Sequence, residues 1–409
     1  MGKEPHQPPG PCLRQAGDDL WMTRPLDDPA APALGLYIHW PFCQAKCPYC
    51  DFNSHVATKI DMERWKSSYI SEIKRVCSEN PGRVLTTVFL GGGTPSLMDP
   101  DLVAEILSAL RSAVPQANDV EITLEANPTS VEIGRFRAFR EAGVNRVSLG
   151  LQALDDDDLR RLGRMHSAAE GLQALTTARS VFDRVSFDLI YARQHQAPDA
   201  WAAELHRALA FAPDHLSLYQ LTIEPGTVFQ RRFDQDQLPG LPAEDPAADM
   251  FDLTQDICET AGLPAYEVSN HARPGAESRH NLIYWRGGDY AGIGPGAHGR
   301  LTRDGIRYAT ETERMPEAWL SSVETRGSGE TSVTALSRRE QAEERVMMGL
   351  RLAEGISLSD IIAIDETTID HAALAEMQAL GLLHFDGDRM ATTPRGRPLL
   401  NAILARLLT

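Results

Sequence analysis

The sequence predicts an α/β protein whose main domain is a partial (β/α)6 barrel, similar to a TIM barrel that stops short of closure. Two observations support this fold class. Six short apolar segments have the composition of strands, and amphipathic segments with helical spacing lie between them. Strands that alternate with helices form parallel βαβ units. The active site of such a barrel lies at the carboxyl ends of its strands.

The individual elements follow from local patterns. The strands are predicted from short apolar runs at 34–40, 86–91, 120–126, 145–152, 185–191 and 215–221. Two helices are predicted from apolar residues three or four positions apart, each behind an aspartate, Asp61 or Asp99, that can cap the helix. The residues with this spacing are Met62, Trp65, Tyr69, Ile73 and Val76 in the first helix and Leu102, Ile106 and Leu110 in the second.

Composition divides the chain into four parts. Residues 1–33 are rich in Pro, Gly, Ala and Asp without periodicity, which predicts a flexible N-terminal extension. The barrel is expected over 34–222. Alternation weakens over 223–334, which is expected to cover the barrel with long loops and one helix near 245–261. Residues 335–409 have the pattern helix, helix, two-stranded turn and helix, which predicts a winged-helix-like module.

The charge balance argues against a nucleic-acid-binding role. The formal net charge is −17, so the long-range field repels phosphates. The predicted winged-helix-like module contains no Lys, and its acidic residues outnumber its arginines. We therefore expect this module to cover the barrel or to dock a partner protein, and we expect no nucleic acid among the partners.

Hydropathy and cysteine usage indicate the compartment. No apolar stretch is long enough to cross a bilayer, and residues 1–33 lack the apolar segment of a secretory signal. The sequence therefore predicts a cytoplasmic protein that is not an integral membrane protein. Of its six cysteines, Cys12, Cys77 and Cys258 are scattered and have the character of ordinary thiols. The other three lie close together, which in a reducing compartment indicates metal binding.

Cys43, Cys47 and Cys50 form a CxxxCxxC loop directly after the first predicted strand. A loop that supplies three thiolates to a cubane iron–sulfur cluster leaves one iron without a protein ligand, and chemistry can occur at that iron. The alternative is a structural zinc site. Zinc requires four ligands, usually from two paired knuckles, and the sequence contains no second CxxC.

Other polar or glycine-rich segments also follow predicted strands. Gly91, Gly92 and Gly93 precede Thr94, and consecutive glycines let the backbone approach a polar ligand, although a tight turn explains them equally well. A further group of polar residues belongs to these strands and loops: Glu125 and Gln152 end the third and fourth predicted strands, Arg164 lies in the loop segment LGRMHS, and Asp188 lies within the fifth strand. Internal salt bridges are the alternative explanation for these charges.

The run YIHWPFCQAKCPYCDF at 37–52 resembles the radical S-adenosylmethionine (SAM) superfamily. The motifs after it resemble the superfamily's oxygen-independent coproporphyrinogen oxidase group, and the resemblance extends over 34–401. It implies a [4Fe–4S] cluster whose open iron chelates the amino and carboxylate groups of SAM. One electron then cleaves SAM to methionine and a 5′-deoxyadenosyl radical. The cofactor performs the difficult step, and the protein positions it.

The resemblance also implies which residues contact SAM. The cluster-bound SAM is matched by Tyr37, Gly92 and Glu125. A second SAM, found in the oxidase itself, is matched by Tyr49, Gly93, Thr94, Gln152, Arg164 and Asp188. The chain departs from the group after Asp188, where the usual Gly-Leu-Pro is replaced by residues 192–194, Ala-Arg-Gln. A residue with a Cβ atom thus replaces a glycine in this loop.

Two features separate the branches of this group. Oxidases have the pattern CxxxCxxCxC, and Phe52 occupies the position of the fourth cysteine. The segment HNLIYW at 280–285 resembles the HNxxYW motif of the HemW branch, whose members are regarded as heme chaperones without decarboxylase activity. His280 is the candidate heme ligand, and Tyr284 and Trp285 are candidates for packing on the macrocycle.

Several alternatives remain open at this point. Local packing is the simpler explanation of His280, and His271 and His298 are rival ligands, although His298 belongs to GIGPGAHG at 292–299, which resembles a glycine-rich segment near SAM. The first predicted function is a heme chaperone that delivers heme to an acceptor protein, such as a membrane-associated respiratory enzyme. The others are an oxygen-independent coproporphyrinogen III oxidase and a non-catalytic, cluster-bearing interaction protein.

Overall fold

The structure, a computed structural model, describes residues 32–57, 59–129 and 134–408. The predicted extension over 1–33 therefore lies outside the described residues except for its last two positions. The strands are β1 Ala33–Trp40, β2 Phe42–Cys43, β3 His55–Val56, β4 Val84–Gly92, β5 Gln116–Ala126, β6 Arg146–Gln152, β7 Arg184–Tyr191, β8 His215–Gln220, β9 Asn270–Ala272, β10 Tyr290–Ile293, β11 His298–Arg303, β12 Ile306–Thr312, β13 Glu330–Ala335, β14 Ile356–Ser357, β15 Leu383–Asp386 and β16 Arg389–Thr392.

The helices lie mainly between these strands. They are α1 Met62–Glu79, α2 Pro100–Ala113, α3 Phe136–Ala142, α4 Asp156–Arg161, α5 Ala168–Val181, α6 Pro198–Leu209, α7 Val228–Asp234, α8 Glu244–Thr260, α9 Arg279–Trp285, α10 Pro316–Arg326, α11 Arg338–Gly349, α12 Leu358–Ile364, α13 His371–Ala379 and α14 Leu400–Leu407. Asp61 and Asp99 cap α1 and α2 as predicted, because each side chain accepts a hydrogen bond from a backbone N–H of the first turn. None of the described helices is long and apolar enough to cross a bilayer.

The six predicted strands form one parallel run in the order β1-β4-β5-β6-β7-β8. The partial (β/α)6 barrel is therefore confirmed. The sheet continues on both sides, since β9 pairs antiparallel with β8 and β10 pairs parallel with β1. Strands β11 to β13 then extend the sheet beyond β10 in antiparallel order. This extension from the covering region was not predicted.

Side chains alternate along β1 and explain how the barrel is built. Leu34, Leu36, Ile38 and Trp40 are fully buried on the face that packs against the helices. Their neighbours point to the opposite face, because successive strand residues alternate. On the next strands this inner face carries polar groups, among them Thr87, Glu121 and Arg146. The barrel interior is thus polar, and its apolar core lies outside the strands.

The covering region packs on the first helix of the barrel. Trp319 of α10 stacks on Trp65 of α1, with ring centroids 5.4 Å apart. Arg64 of α1 donates hydrogen bonds to Glu317 and Glu324 of α10. Trp319 and Trp65 are both buried, so these contacts extend the apolar core and place the 290–335 segment beside β1.

The C-terminal module has its own apolar core, which is formed by residues of α11 to α14 and of the strands among them. Strands β14, β16 and β15 form a three-stranded antiparallel sheet. The sequence predicted a two-stranded turn with two preceding helices, whereas the structure has a third strand and three preceding helices. The extra strand, Ile356–Ser357, spans two residues, and a strand of that length carries no periodic signal.

Candidate cluster and cofactor site

A cavity of about 390 Å³ lies at the carboxyl ends of the barrel strands. Its size is within the range of small-molecule sites. Of the residues that the sequence singled out, those that line this cavity are Cys43, Cys47, Tyr49, Cys50, Gly92, Gly93, Thr94, Glu125, Gln152, Arg164 and Asp188. The parallel strands bring these residues together although they are distant in sequence.

The cysteine loop is held at both of its ends. Strand β2, which ends at Cys43, pairs with β3, so the loop leaves and returns at the same place. Asn53 fixes the loop to the covering region by donating to the carbonyl oxygens of Pro295 at 2.9 Å and Arg314 at 2.8 Å. The cysteines are free thiols. Burial raises the pKa of Cys43 and Cys50, so iron must supply the charge that deprotonates them.

A chain of hydrogen bonds connects two of the cysteines. Thr94 Oγ1 donates to Cys43 Sγ at 3.4 Å, and an Arg164 guanidinium N–H donates to Cys47 Sγ at 3.4 Å. Asn127 lies between these donors. Its Nδ2 donates to Thr94 Oγ1 at 3.0 Å, and its Oδ1 accepts from Arg164 at 2.5 Å. Sequence analysis missed Asn127, although it stands two positions after Glu125 in the same LEANP motif.

The glycines at the end of β4 are required by close backbone packing. Gly92 has a φ of +110°, and a Cβ atom there would lie 2.5 Å from the His39 ring. A Cβ atom on Gly93 would lie 2.6 Å from the carbonyl oxygen of Phe42. A side chain at either position would therefore displace β1 or the start of the cysteine loop. The Gly92 N–H donates to Glu125 Oε2 at 3.2 Å.

Glu125 and Asp188 bring two carboxylates to one cavity. Burial, together with the negative charge of Asp188, raises the pKa of Glu125 to about 8. Burial raises the pKa of Asp188 to about 6, against the hydrogen bond from Ser217. Neither carboxylate has an ion-pair partner among the described residues, so internal salt bridging does not explain them. A cationic ligand in the cavity would lower both pKa values and so favour the ionised carboxylates.

Further polar atoms of the cavity residues are buried without a hydrogen-bond partner in the described structure, among them Gln152 Oε1 and Arg164 Nε. Buried polar atoms are normally hydrogen-bonded, so such atoms at a cavity indicate groups that a ligand would satisfy. Gln152 also has a φ of +71°, which is a costly conformation for a residue with a side chain. Ala192, which replaces the usual glycine after β7, keeps a glycine-like φ of +56°.

The remaining predicted ligands do not line this cavity. Tyr37 lies beside it, with its hydroxyl 3.0 Å from His39 Nδ1. Trp285 lies under the Arg351 guanidinium, 5.5 Å from the ring centroid, and Tyr284 packs edge-on against Tyr290. These side chains support the structure around the site in this conformation.

His280 corrects one premise of the heme prediction. The HNxxYW resemblance makes His280 a candidate heme ligand, but the side chain is 1% exposed. Its Nδ1 is hydrogen-bonded to Thr87 Oγ1 at 2.7 Å and its Nε2 to Tyr284 OH at 2.6 Å. Burial lowers the pKa of His280 to about 3, so the ring is neutral. In this conformation neither nitrogen is available to iron.

The two rival histidines differ from His280 and from each other. His271 on β9 is completely buried, and neither of its ring nitrogens has a hydrogen-bond partner among the described residues. His298 on β11 has 59% of its side chain exposed and lies 3.9 Å from Glu311. Neither lines the cavity. The glycine-rich segment before His298 packs on β1, since a Cβ atom on Gly294 would lie 2.4 Å from the carbonyl oxygen of His39.

Comparisons with known proteins identify the family. Residues 37–199 match the radical SAM superfamily, and residues 336–399 match the HemN C-terminal domain. The curated relative "Radical S-adenosyl methionine domain-containing protein 1, mitochondrial" from Bos taurus is 39% identical, over 94% of this chain and 91% of its own. "Heme chaperone HemW" from Escherichia coli is 36% identical, over 92% of this chain and 98% of its own. The chain belongs to the radical SAM superfamily, in the family of these relatives.

A solved structure agrees with this placement. Coproporphyrinogen III oxidase (HemN) from Escherichia coli superposes with a TM-score of 0.78, covering 91% of this chain and 89% of its own. The two sequences are 23% identical, so this likeness concerns the fold. Radical SAM proteins carry a [4Fe–4S] cluster and SAM, and the cavity contains the residue types that both require.

The residues of this radical SAM protein fit both cofactors. The three cysteines around one cavity would hold the cluster, which supplies the electron that cleaves SAM. Glu125 and Asp188 face the cavity as buried carboxyl groups with raised pKa values, and the sulfonium and ammonium charges of SAM would stabilise their ionised forms. Gly92 and Gly93 line the cavity at the end of β4, where their close packing on β1 and the cysteine loop fixes the backbone that a ligand would meet. The protein thus supplies charge compensation and position.

A first prediction concerns Glu125. Replacement of Glu125 by alanine is expected to leave the cluster intact and to weaken SAM binding, because a lost charge-assisted hydrogen bond costs about 1.5–3 kcal/mol. Affinity should fall by about tenfold to a hundredfold. Equilibrium dialysis of cluster-loaded protein measures this. The exposed Glu141→Ala variant is the control, and unchanged affinity in Glu125→Ala would make Glu125 a purely structural carboxylate.

Proposed function

We propose that this radical SAM protein is a heme chaperone, which binds heme and transfers it to an acceptor protein without decarboxylating coproporphyrinogen. Curated relatives at 35–36% identity over nearly the whole chain carry the name heme chaperone HemW. The observation that carries the proposal within this chain is Phe52, which stands where the oxidase pattern has its fourth cysteine. An apolar ring cannot replace a thiol in catalysis or in metal binding.

The surroundings of Phe52 support this proposal. Its ring is 57% exposed and lines the cavity that contains the cysteines. Tyr219, 43% exposed, lines the same cavity from the end of β8. Flat apolar rings at the rim of a cavity suit a planar macrocycle. Lys46, which reaches the carbonyl oxygen of Phe52 at 3.5 Å, provides a cation beside them for a carboxylate.

The HNxxYW segment remains our candidate for the axial ligand, although His280 must first be released. Ligation requires one of the two ring hydrogen bonds, to Thr87 or to Tyr284, to break and α9 to move. The N-terminus of α9 is anchored by Glu121, which accepts from the His280 N–H at 3.1 Å. We therefore propose that heme binding by His280 is coupled to an opening of α9.

The acceptor and the compartment follow from the proposed function. A heme chaperone needs an apo-protein acceptor, and a membrane-associated respiratory enzyme is our proposal for it. We propose the cytoplasm as the site of action. Relatives from Bos taurus, Mus musculus and Danio rerio carry names that place them in mitochondria.

Coproporphyrinogen III oxidation is the second candidate function. The residues that match contacts to the oxidase's second SAM all line the cavity, and these include Tyr49, Gln152 and Asp188. A cavity that accepts two SAM molecules would serve the oxidase reaction. The two candidate functions can be distinguished by whether coproporphyrinogen III is decarboxylated, because only the oxidase removes carboxyl groups from a porphyrinogen side chain.

The second prediction separates these candidates. Anaerobically reconstituted protein is expected to bind about one heme per chain, measured by titration of the Soret band, because one ligand histidine serves one heme iron. The same preparation, reduced and supplied with SAM, should leave coproporphyrinogen III unchanged in a chromatographic assay. Steady decarboxylation without heme uptake would establish the oxidase instead.

Histidine variants locate the ligand in the same titration. His280→Ala is expected to shift or weaken the Soret band while the cluster survives, because the cluster ligands lie in another loop. The exposed His206→Ala variant should behave as the wild type. A shift in His298→Ala or His271→Ala, with none in His280→Ala, would move the ligand assignment to that residue.

A further inference from the structure

The hydrogen-bond chain between the cysteines points to a function that the family resemblance does not assign. We infer that Asn127 and Arg164 are positioning residues that fix the Cys43 and Cys47 thiolates and raise the reduction potential of the cluster. The inference rests on the assignment of the cluster to these cysteines, and it does not depend on the proposed heme chemistry.

The geometry of Arg164 carries the first step. One guanidinium N–H reaches Cys47 Sγ at 3.4 Å, while the other nitrogen donates to Asn127 Oδ1 at 2.5 Å and to the Gly150 carbonyl oxygen at 2.8 Å. The resemblance implies that Arg164 contacts a second SAM. Here both terminal nitrogens are already engaged, and their partners belong to the cluster loop and to the strand ends. Arg164 is therefore oriented towards the cluster.

Asn127 carries the second step, because it joins the two halves of the chain. Its carbonyl oxygen holds the Arg164 guanidinium, and its amide donates to Thr94 Oγ1, whose hydroxyl donates to Cys43 Sγ. The amide nitrogen and the amide oxygen of Asn127 thus hold different partners. A single asparagine orients the donors to two different thiolates, which a residue with only a donor or only an acceptor cannot do.

Two glycines leave the space for this arrangement, which is an independent observation. A Cβ atom on Gly150 would lie 3.3 Å from an Arg164 terminal nitrogen and 3.6 Å from Asn127 Oδ1. Gly163, next to Arg164, has a φ of +71°, and a Cβ atom there would lie 2.6 Å from Pro48 in the cysteine loop. The backbone before Arg164 therefore presses directly on the cluster loop, which brings the guanidinium to Cys47.

The electrostatic consequence is a higher potential. Reduction adds one electron to the cluster, so groups that stabilise negative charge on its sulfur ligands favour the reduced form. Hydrogen bonds to cluster sulfurs and nearby charge set such potentials. Arg164 supplies an N–H donor and a full positive charge to Cys47, and Thr94 supplies a hydroxyl to Cys43. Asn127 acts through both of them.

The test measures the midpoint potential of the reconstituted full-length protein by a reductive titration followed by electron paramagnetic resonance, without SAM. Arg164→Met is expected to shift the midpoint to a lower potential, and Asn127→Leu is expected to give a smaller shift in the same direction. Arg164→Lys should recover part of the shift, because the charge returns without the forked geometry. Arg160→Met, at an exposed residue of α4, should titrate as the wild type.

Each outcome decides the inference. A cluster-loaded Arg164→Met protein with the wild-type midpoint but weaker SAM binding would overturn it and would establish the SAM contact implied by the resemblance. If Arg164→Met fails to assemble a cluster, Arg164→Lys and Asn127→Leu decide. If both of these variants had the wild-type midpoint potential, Arg164 and Asn127 would serve only to assemble the loop, and the inference that they raise the reduction potential would be overturned.

Discussion

Replacing Cys47 by alanine is expected to remove the cluster from the reconstituted protein. The loop supplies three thiolates, and the cluster requires all three. The other thiols of the described chain, Cys77 and Cys258, lie within α1 and α8 and do not line the cavity. Iron and sulfide should fall from about four of each per chain to near zero, with loss of the visible absorption of the cluster.

The two remaining thiols provide the matched control. Cys77→Ala and Cys258→Ala remove the same atom from buried helical positions, and both variants should keep the full iron content. A Cys47→Ala protein that still holds four irons per chain would contradict the assignment. If Cys258→Ala lost iron while Cys47→Ala retained it, the cluster would have to be assigned to a site that contains Cys258.

Replacing Glu121 by alanine is expected to cause the largest loss of stability among the polar residues of the barrel interior. The Glu121 side chain is fully buried, pairs with Arg184 at 2.6 Å and accepts from the His280 N–H. Removal of one partner from a buried pair leaves uncompensated charge and costs about 3–5 kcal/mol. Urea denaturation measures the free energy of unfolding, and the exposed Glu105→Ala variant should change it by less than about 0.5 kcal/mol.

The stability that Glu121 contributes should depend on pH in a defined direction. Burial opposes its charge, but Arg146, Arg184 and the His280 N–H hold its pKa below the ordinary value of 4.5. A carboxyl group whose pKa is lower in the folded state stabilises the protein above its unfolded pKa, and this contribution is lost as the pH falls through the folded value. Glu121→Gln should therefore flatten the stability profile in this acidic window, and an unchanged profile would contradict the assignment.

The barrel and the cluster loop could be predicted from the sequence because their signals are local. A strand of the inner sheet appears as a short apolar run, and the CxxxCxxC spacing lies within one loop. Glu125, Gln152 and Asp188 could be expected to lie close together because each belongs to a recognisable parallel strand. The fold then brings these side chains to one cavity.

The features that were missed depend on long-range contacts. The burial of His280 could not be foreseen from the sequence, because its partner Thr87 is 193 residues away. Asn127 carries no signal of its own, since an asparagine before a proline is typical of a turn. Strand β10 has four residues, and only its pairing with β1 identifies it. Sequence periodicity contains none of this information.

The pairing of β1 with β10 has a consequence for the order in which the protein folds during synthesis. The first strand leaves the ribosome with one edge unpaired, and its partner on that side begins at Tyr290. The cysteine loop cannot be anchored until a similar length of chain has been made, because the residues that accept hydrogen bonds from Asn53 lie 242 and 261 residues further along the chain. An exposed strand edge in a nascent chain is a site of mispairing. The cluster loop can therefore reach its final shape only late in translation, and we expect insertion of iron and sulfide to follow release of the nearly complete chain.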